Sequence, residues 1–91
     1  MHPTDVKNIR EAVKLAERFA HGAAFDGCDV SDIDEMSSSL ESELKRPLPN
    51  PVTLSTYLNS MRRSLRTQHH GVAVVAQLDQ AMRAAGIAID S

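Results

Sequence analysis

The stretch TLSTYLNSMRRSLRT, residues 53–67, decides the fold. Its apolar residues Leu54, Leu58, Met61 and Leu65 recur at spacings of four, three and four, the period of one helical face rather than the alternation of a strand. Thr53 offers a capping hydroxyl at the start. Tyr57 stands beside the apolar face, and Arg62, Arg63 and Arg66 crowd the closing half. At about 100° per residue, Arg62 and Arg66 lie about 40° apart with Arg63 about 60° beyond, so the three arginines share one arc.

Reading outward, Pro47, Pro49 and Pro51 precede this helix. Each removes a backbone donor and biases the residue before it away from helix, which predicts an extended connection of defined shape. Before the prolines, Val30, Ile33, Met36, Leu40 and Leu44 form a second helical face, for which Ser31 with Asp34 supplies a capping pattern. The first segment runs from Thr4 to Ala24. Val6, Ile9, Val13, Ala16, Ala20 and Ala23 share one stripe, with Ala12, Leu15 and Phe19 adjoining it, so the apolar arc touches two neighbours. Thr4 or Asp5 is the candidate cap, and Gly22, Phe25, Asp26 and Gly27 mark the exit.

On the other side, Gln68, His69, His70 and Gly71 break the helical pattern. A fourth segment, Val72 to Ala85, places Val75, Leu78, Met82 and Ala85 on one face, and Gly86 is its natural C-terminal cap. Ile87, Ala88 and Ile89 are expected to lie against the bundle. Val72 to Val75 is the one place where valine content lets a strand compete. These elements predict an all-α fold, a compact helical bundle of about four short helices with no sheet, forming one domain over residues 1–91. The alternative is a three-helix core with a docked fourth helix.

The 91 residues include one cysteine, Cys28, which excludes an internal disulfide. Phe19, Phe25 and Tyr57 are the only aromatic residues, so the core is expected to be aliphatic and alanine-rich. Such a core leaves a thin margin over chain entropy, which a homodimer would widen. No stretch approaches the roughly 20 apolar residues of a membrane span, and no leader pattern opens the chain. A cytoplasmic protein is expected.

Charge is sorted along the chain. Asp26, Asp29, Asp32, Asp34, Glu35, Glu41 and Glu43 follow one another with no intervening base, and Lys45, Arg46, Arg62, Arg63 and Arg66 then follow with no acid before Asp79. With a net charge of −2, this is a dipole rather than a uniform field. Helix dipoles account for much of it, with acids opening the second helix and bases closing the second and third.

The acidic stretch does not make a calcium loop. A twelve-residue loop begun at Asp26 puts Cys28 and Val30 at ligand positions, and one begun at Asp29 puts Ile33 there. His69 and His70 face apart on a helix, so a metal site built from them with His21 and Cys28 needs a fold that gathers distant segments. Asp26 and Asp29 flank Cys28 and disfavour a thiolate nucleophile. Ser39 lacks the preceding aspartate of a phosphopantetheine carrier, and no nucleophile elbow or phosphate-binding glycine loop occurs. No enzyme, cofactor or metal site is therefore expected.

The connection from Lys45 to Val52 is too long for a helix-turn-helix turn, and Leu54 to Tyr57 present no base-reading pair. The expectation is a non-enzymatic protein-interaction or regulatory module that docks an unidentified protein partner through Tyr57, Arg62, Arg63 and Arg66. The alternative is a small nucleic-acid-associated regulator using the same basic edge.

Overall fold

The computed structural model describes residues 2–22, 27–68 and 71–90, and side chains at all of these except 27–29. Four helices follow one another: α1 (Pro3–Gly22), α2 (Gly27–Leu44), α3 (Pro51–Arg66) and α4 (Val72–Ala85). The described residues form no strand, and Val72 to Val75 are helical.

Helix α1 starts one residue before the expected cap. The His2 ring Nδ1 accepts from Thr4 N at 3.1 Å, and the His2 carbonyl accepts from Asp5 N and Val6 N at 2.9 and 3.2 Å. Pro3 then occupies the first helical position, where its missing donor costs nothing. Helix α2 begins at Gly27, four residues ahead of Ser31, so Ser31 is an exposed interior residue rather than a cap. Asp32, Asp34 and Glu35 accordingly lie beyond the first turn.

Helix α3 also starts early. Asn50 is its cap, with Oδ1 accepting from Val52 N at 2.9 Å and Thr53 N at 3.4 Å, and Pro51 opens the helix instead of prolonging the connection. The preceding turn is tied to α2 by the buried Glu43, whose carboxylate accepts from Asn50 N at 2.9 Å and from Arg46 Nη1 at 3.3 Å.

Helix α4 has the expected bounds. Gly86 N donates to Arg83 O at 3.1 Å and Ile87 N to Met82 O at 2.9 Å, the paired bonds of a Schellman motif with Gly86 at φ 72°. Gly71, which precedes α4, is required for a different reason. A Cβ there would stand 2.1 Å from the Leu65 carbonyl oxygen, because the turn folds back onto the end of α3.

Helix α1 packs on α2, α2 on α3, α3 on α4, and α4 back on α1. Arg10 near the start of α1 meets Glu41 near the end of α2, while His21 at the end of α1 meets Asp34, so these helices run antiparallel. The result is an up-and-down ring of four helices. Its centre is a single cluster in which Ile9, Ile33, Leu40, Leu54, Leu58, Met61, Leu65, Leu78 and Met82 are fully buried. With Leu78 and Met82 inside it, α4 is a full member and not a docked addition. The Cα radius of gyration is 12.1 Å, and a chain of this length packed at normal density is expected near about 12 Å. Among the described residues, no helix is long and apolar enough to cross a membrane.

Candidate protein-interaction site

Helix α3 has three faces, and its polar residues divide between two of them. Leu54, Leu58, Met61 and Leu65 fill the core. Ser55, Asn59, Arg62 and Arg66 recur at helical spacing along one border of that face. Tyr57, Ser60 and Ser64 line the other, where α3 meets α2. Tyr57 and Arg66 are nine residues apart, which at about 100° per residue places them about 180° apart around the helix. The four residues expected to form one surface therefore do not share one.

Arg62 is 5% exposed. Its guanidinium pairs with Asp79 of α4, and Nη1 donates to Asn59 Oδ1 at 3.0 Å and to the Asp90 carbonyl at 3.1 Å. Arg63 is half-exposed, with Nη1 donating to Asp90 Oδ2 at 2.7 Å and Nη2 to Ser60 Oγ at 3.2 Å. Arg66 is exposed and has no ion pair among the described residues. The three arginines do share an arc, but that arc crosses the boundary between core and solvent. A cation that is buried and paired contributes to the fold; a partner reaches it only by breaking that pair.

The buried network centres on Asn59, 2% exposed. Its Nδ2 donates to the Ser55 carbonyl at 2.8 Å, to Ser55 Oγ at 3.0 Å and to the Ala88 carbonyl at 3.1 Å, while its Oδ1 accepts from Arg62 and from Asp90 N at 3.0 Å. Ser55 Oγ also donates to the Ala88 carbonyl at 2.8 Å. Ile87 is buried in the core cluster and Ile89 packs against it, so the segment after α4 lies on the bundle as expected. Asn59, Ser55, Asp79 and Asp90 were not among the expected site residues. The signal available in the sequence was the polar stripe 55, 59, 62 and 66 beside the leucine face.

Between α2 and α3 an open groove of about 420 Å³ is lined by half-buried Met36 and Tyr57, by Ser39 and Ser60, and on the α2 rim by Asp32 and Glu35. Those two exposed carboxylates make no hydrogen bond or ion pair among the described residues. A second groove, between α1 and α2, is crossed by the Arg10 to Glu41 pair at 3.0 Å. There Ser37 is buried and its hydroxyl has no hydrogen-bond partner among the described residues, whereas Ser38 is exposed, so the serine run is only partly a solvated face.

His21 Nε2 lies 2.9 and 3.1 Å from the two Asp34 oxygens. His69, His70, Asp26 and the side chains of Cys28 and Asp29 lie outside the described residues, so the metal and thiol readings placed on them do too. Compared with known protein families, curated proteins and solved structures, the chain matches none.

Proposed function

We propose that this chain is a non-enzymatic helical interaction module that docks an amphipathic helix of a protein partner in the groove between α2 and α3. The open groove carries this reading: a half-buried aromatic and a thioether line it, and two carboxylates with no ion pair among the described residues stand on its rim. Tyr57 and Met36 supply contact area at low ordering cost and with adaptable packing. Asp32 and Glu35 favour a partner helix with Lys or Arg along one edge.

Of the residues expected to bind a partner, Tyr57 keeps that role in this reading. Arg62 acts within the fold, and Arg63 and Arg66 border a separate edge. The nucleic-acid alternative is weakened because two of its three cations already face Asp79 and Asp90.

A photo-crosslinking residue in place of Ser39, compared with one in place of Lys14 on the exposed side of α1, tests the proposal. The adduct is expected at position 39 and not at position 14. Binding of the captured protein should then weaken by at least about 1 kcal/mol in Glu35→Lys and in Tyr57→Ala, and be unmoved by Arg66→Glu. Equal crosslinking at both positions, or binding insensitive to Glu35→Lys, removes the groove as the interface.

A further inference from the structure

We infer that the edge of α3 formed by Ser55, Asn59, Arg62 and Arg63 is a receptor for an extended peptide segment, filled in this chain by its own residues 87–90, and that it selects an apolar residue followed three positions later by an acid.

The geometry at Asn59 is that of strand pairing. Its carboxamide donates to the carbonyl of residue 88 and accepts from the amide of residue 90, bridging residue 89 as a residue of a neighbouring parallel strand does. Ser55 Oγ donates to the same Ala88 carbonyl, and Arg62 Nη1 to the Asp90 carbonyl. All four contacts go to main-chain atoms, so they hold any extended segment regardless of the side chains at 88 and 89.

Two further contacts read side chains. Ile87 is buried in the core cluster, and the Asp90 carboxylate accepts from Arg63. An apolar residue and an acid three positions apart are therefore what the site distinguishes.

The receptor is oriented before the segment arrives. Ser55 and the Ser55 carbonyl fix the Asn59 amide from one side, and Arg62, anchored on Asp79, fixes it from the other. Losing the segment takes from the Asn59 amide the Ala88 carbonyl and the Asp90 N–H while Ser55 and Arg62 stay in place, and a partner's backbone replaces those two groups as well as the chain's own does. At its far end the segment is held by the exposed Arg63–Asp90 ion pair and by the two main-chain hydrogen bonds of residue 90 to Asn59 and Arg62, and it joins α4 through the single left-handed residue Gly86. This surface is separate from the α2–α3 groove, and its test is independent of that reading.

The probe is a fluorescently labelled, amidated peptide of sequence AGIAID, residues 85–90, titrated against the full chain and its Asp90→Lys variant. Asp90→Lys weakens the resident segment without touching the receptor. Weakening an internal competitor raises apparent affinity at most by the factor it loses, so binding is expected to be about threefold to fivefold tighter in the variant than in the intact chain, the range of one exposed ion pair. A peptide carrying Lys in place of the acid should bind about threefold to fivefold more weakly, the range of one exposed ion pair. The Asn59 side-chain amide resonances should shift on peptide addition. Ile87→Ser, checked by circular dichroism for retained helix, provides a second loosened chain, with a gain at least as large because a buried contact rather than an exposed ion pair is removed. No gain in either folded variant, or equal binding of the acidic and lysine peptides, overturns the proposal.

Discussion

Arg62 and Arg66 stand one helical turn apart, yet one belongs to the core and the other to solvent. The difference arises from what surrounds them. Arg62 meets Asp79, Asn59 and the Asp90 carbonyl, so its charge is matched where water is excluded, while no such group faces Arg66 among the described residues. Removing one member of a buried pair leaves an uncompensated charge, so Arg62→Ala is expected to cost about 3 kcal/mol or more in urea denaturation. Arg66→Ala should stay within about 0.5 kcal/mol, as for an exposed residue without a partner. A loss below about 1 kcal/mol at Arg62 would mean that the network contributes little to the fold. Replacing Arg62 and Asp79 together by Met and Leu should recover much of the loss, because apolar groups of similar volume need no partner. Helical spacing places the three arginines on one arc, but which of them is buried depends on acids 17 and 27 positions later in the chain, and no local pattern carries that information.

At the scale of elements, the helix starts show how far local signals reach. The apolar faces of all four helices follow from spacing alone, and α4 matches its expected bounds because Gly86 leaves a single place for its C-terminal cap. The starts were harder to read because several residues compete for one role. Ser31 and Thr53 are good caps by type, but α2 is already helical from Gly27 and Asn50 caps α3 three residues before Thr53. Proline adds to the ambiguity, since Pro51 reads equally as a break and as a first helical residue, and only the Asn50 side chain bonding to Val52 N and Thr53 N decides between them. Asn50→Ala should therefore cost about 1 kcal/mol in thermal or urea unfolding, and Ser31→Ala no more than about 0.5 kcal/mol. The reverse order would restore the later helix starts.

For the whole molecule, the sorted charge acquires a spatial meaning. The acidic stretch and the basic stretch do not form two separate poles, because the ring of helices brings Glu41 to Arg10, Asp79 to Arg62 and Asp90 to Arg63. In the acid-free span from Lys45 to Leu78, Arg62 and Arg63 are paired by α4 and the segment after it and Arg46 by Glu43 of α2, while Lys45 and Arg66 have no ion pair among the described residues. What holds the ring together is nevertheless apolar. Helix α1 contributes three alanines, Ala12, Ala16 and Ala20, to its five buried residues, so the larger side chains of α2, α3 and α4 supply most of the buried area. Because all four helices feed one cluster, damage in one of them is felt by the others. Leu40→Ala on α2 and Leu58→Ala on α3, both at fully buried positions, should each cost about 2–5 kcal/mol. That is a large share of the stability available to so small a domain. Urea unfolding followed by circular dichroism should show a single transition moved to lower denaturant with its slope unchanged, since each substitution deepens a cavity without dividing the core. Two transitions would mean that the helices do not share one core, and a loss below about 0.5 kcal/mol at either leucine would mean that its helix is not packed on that core.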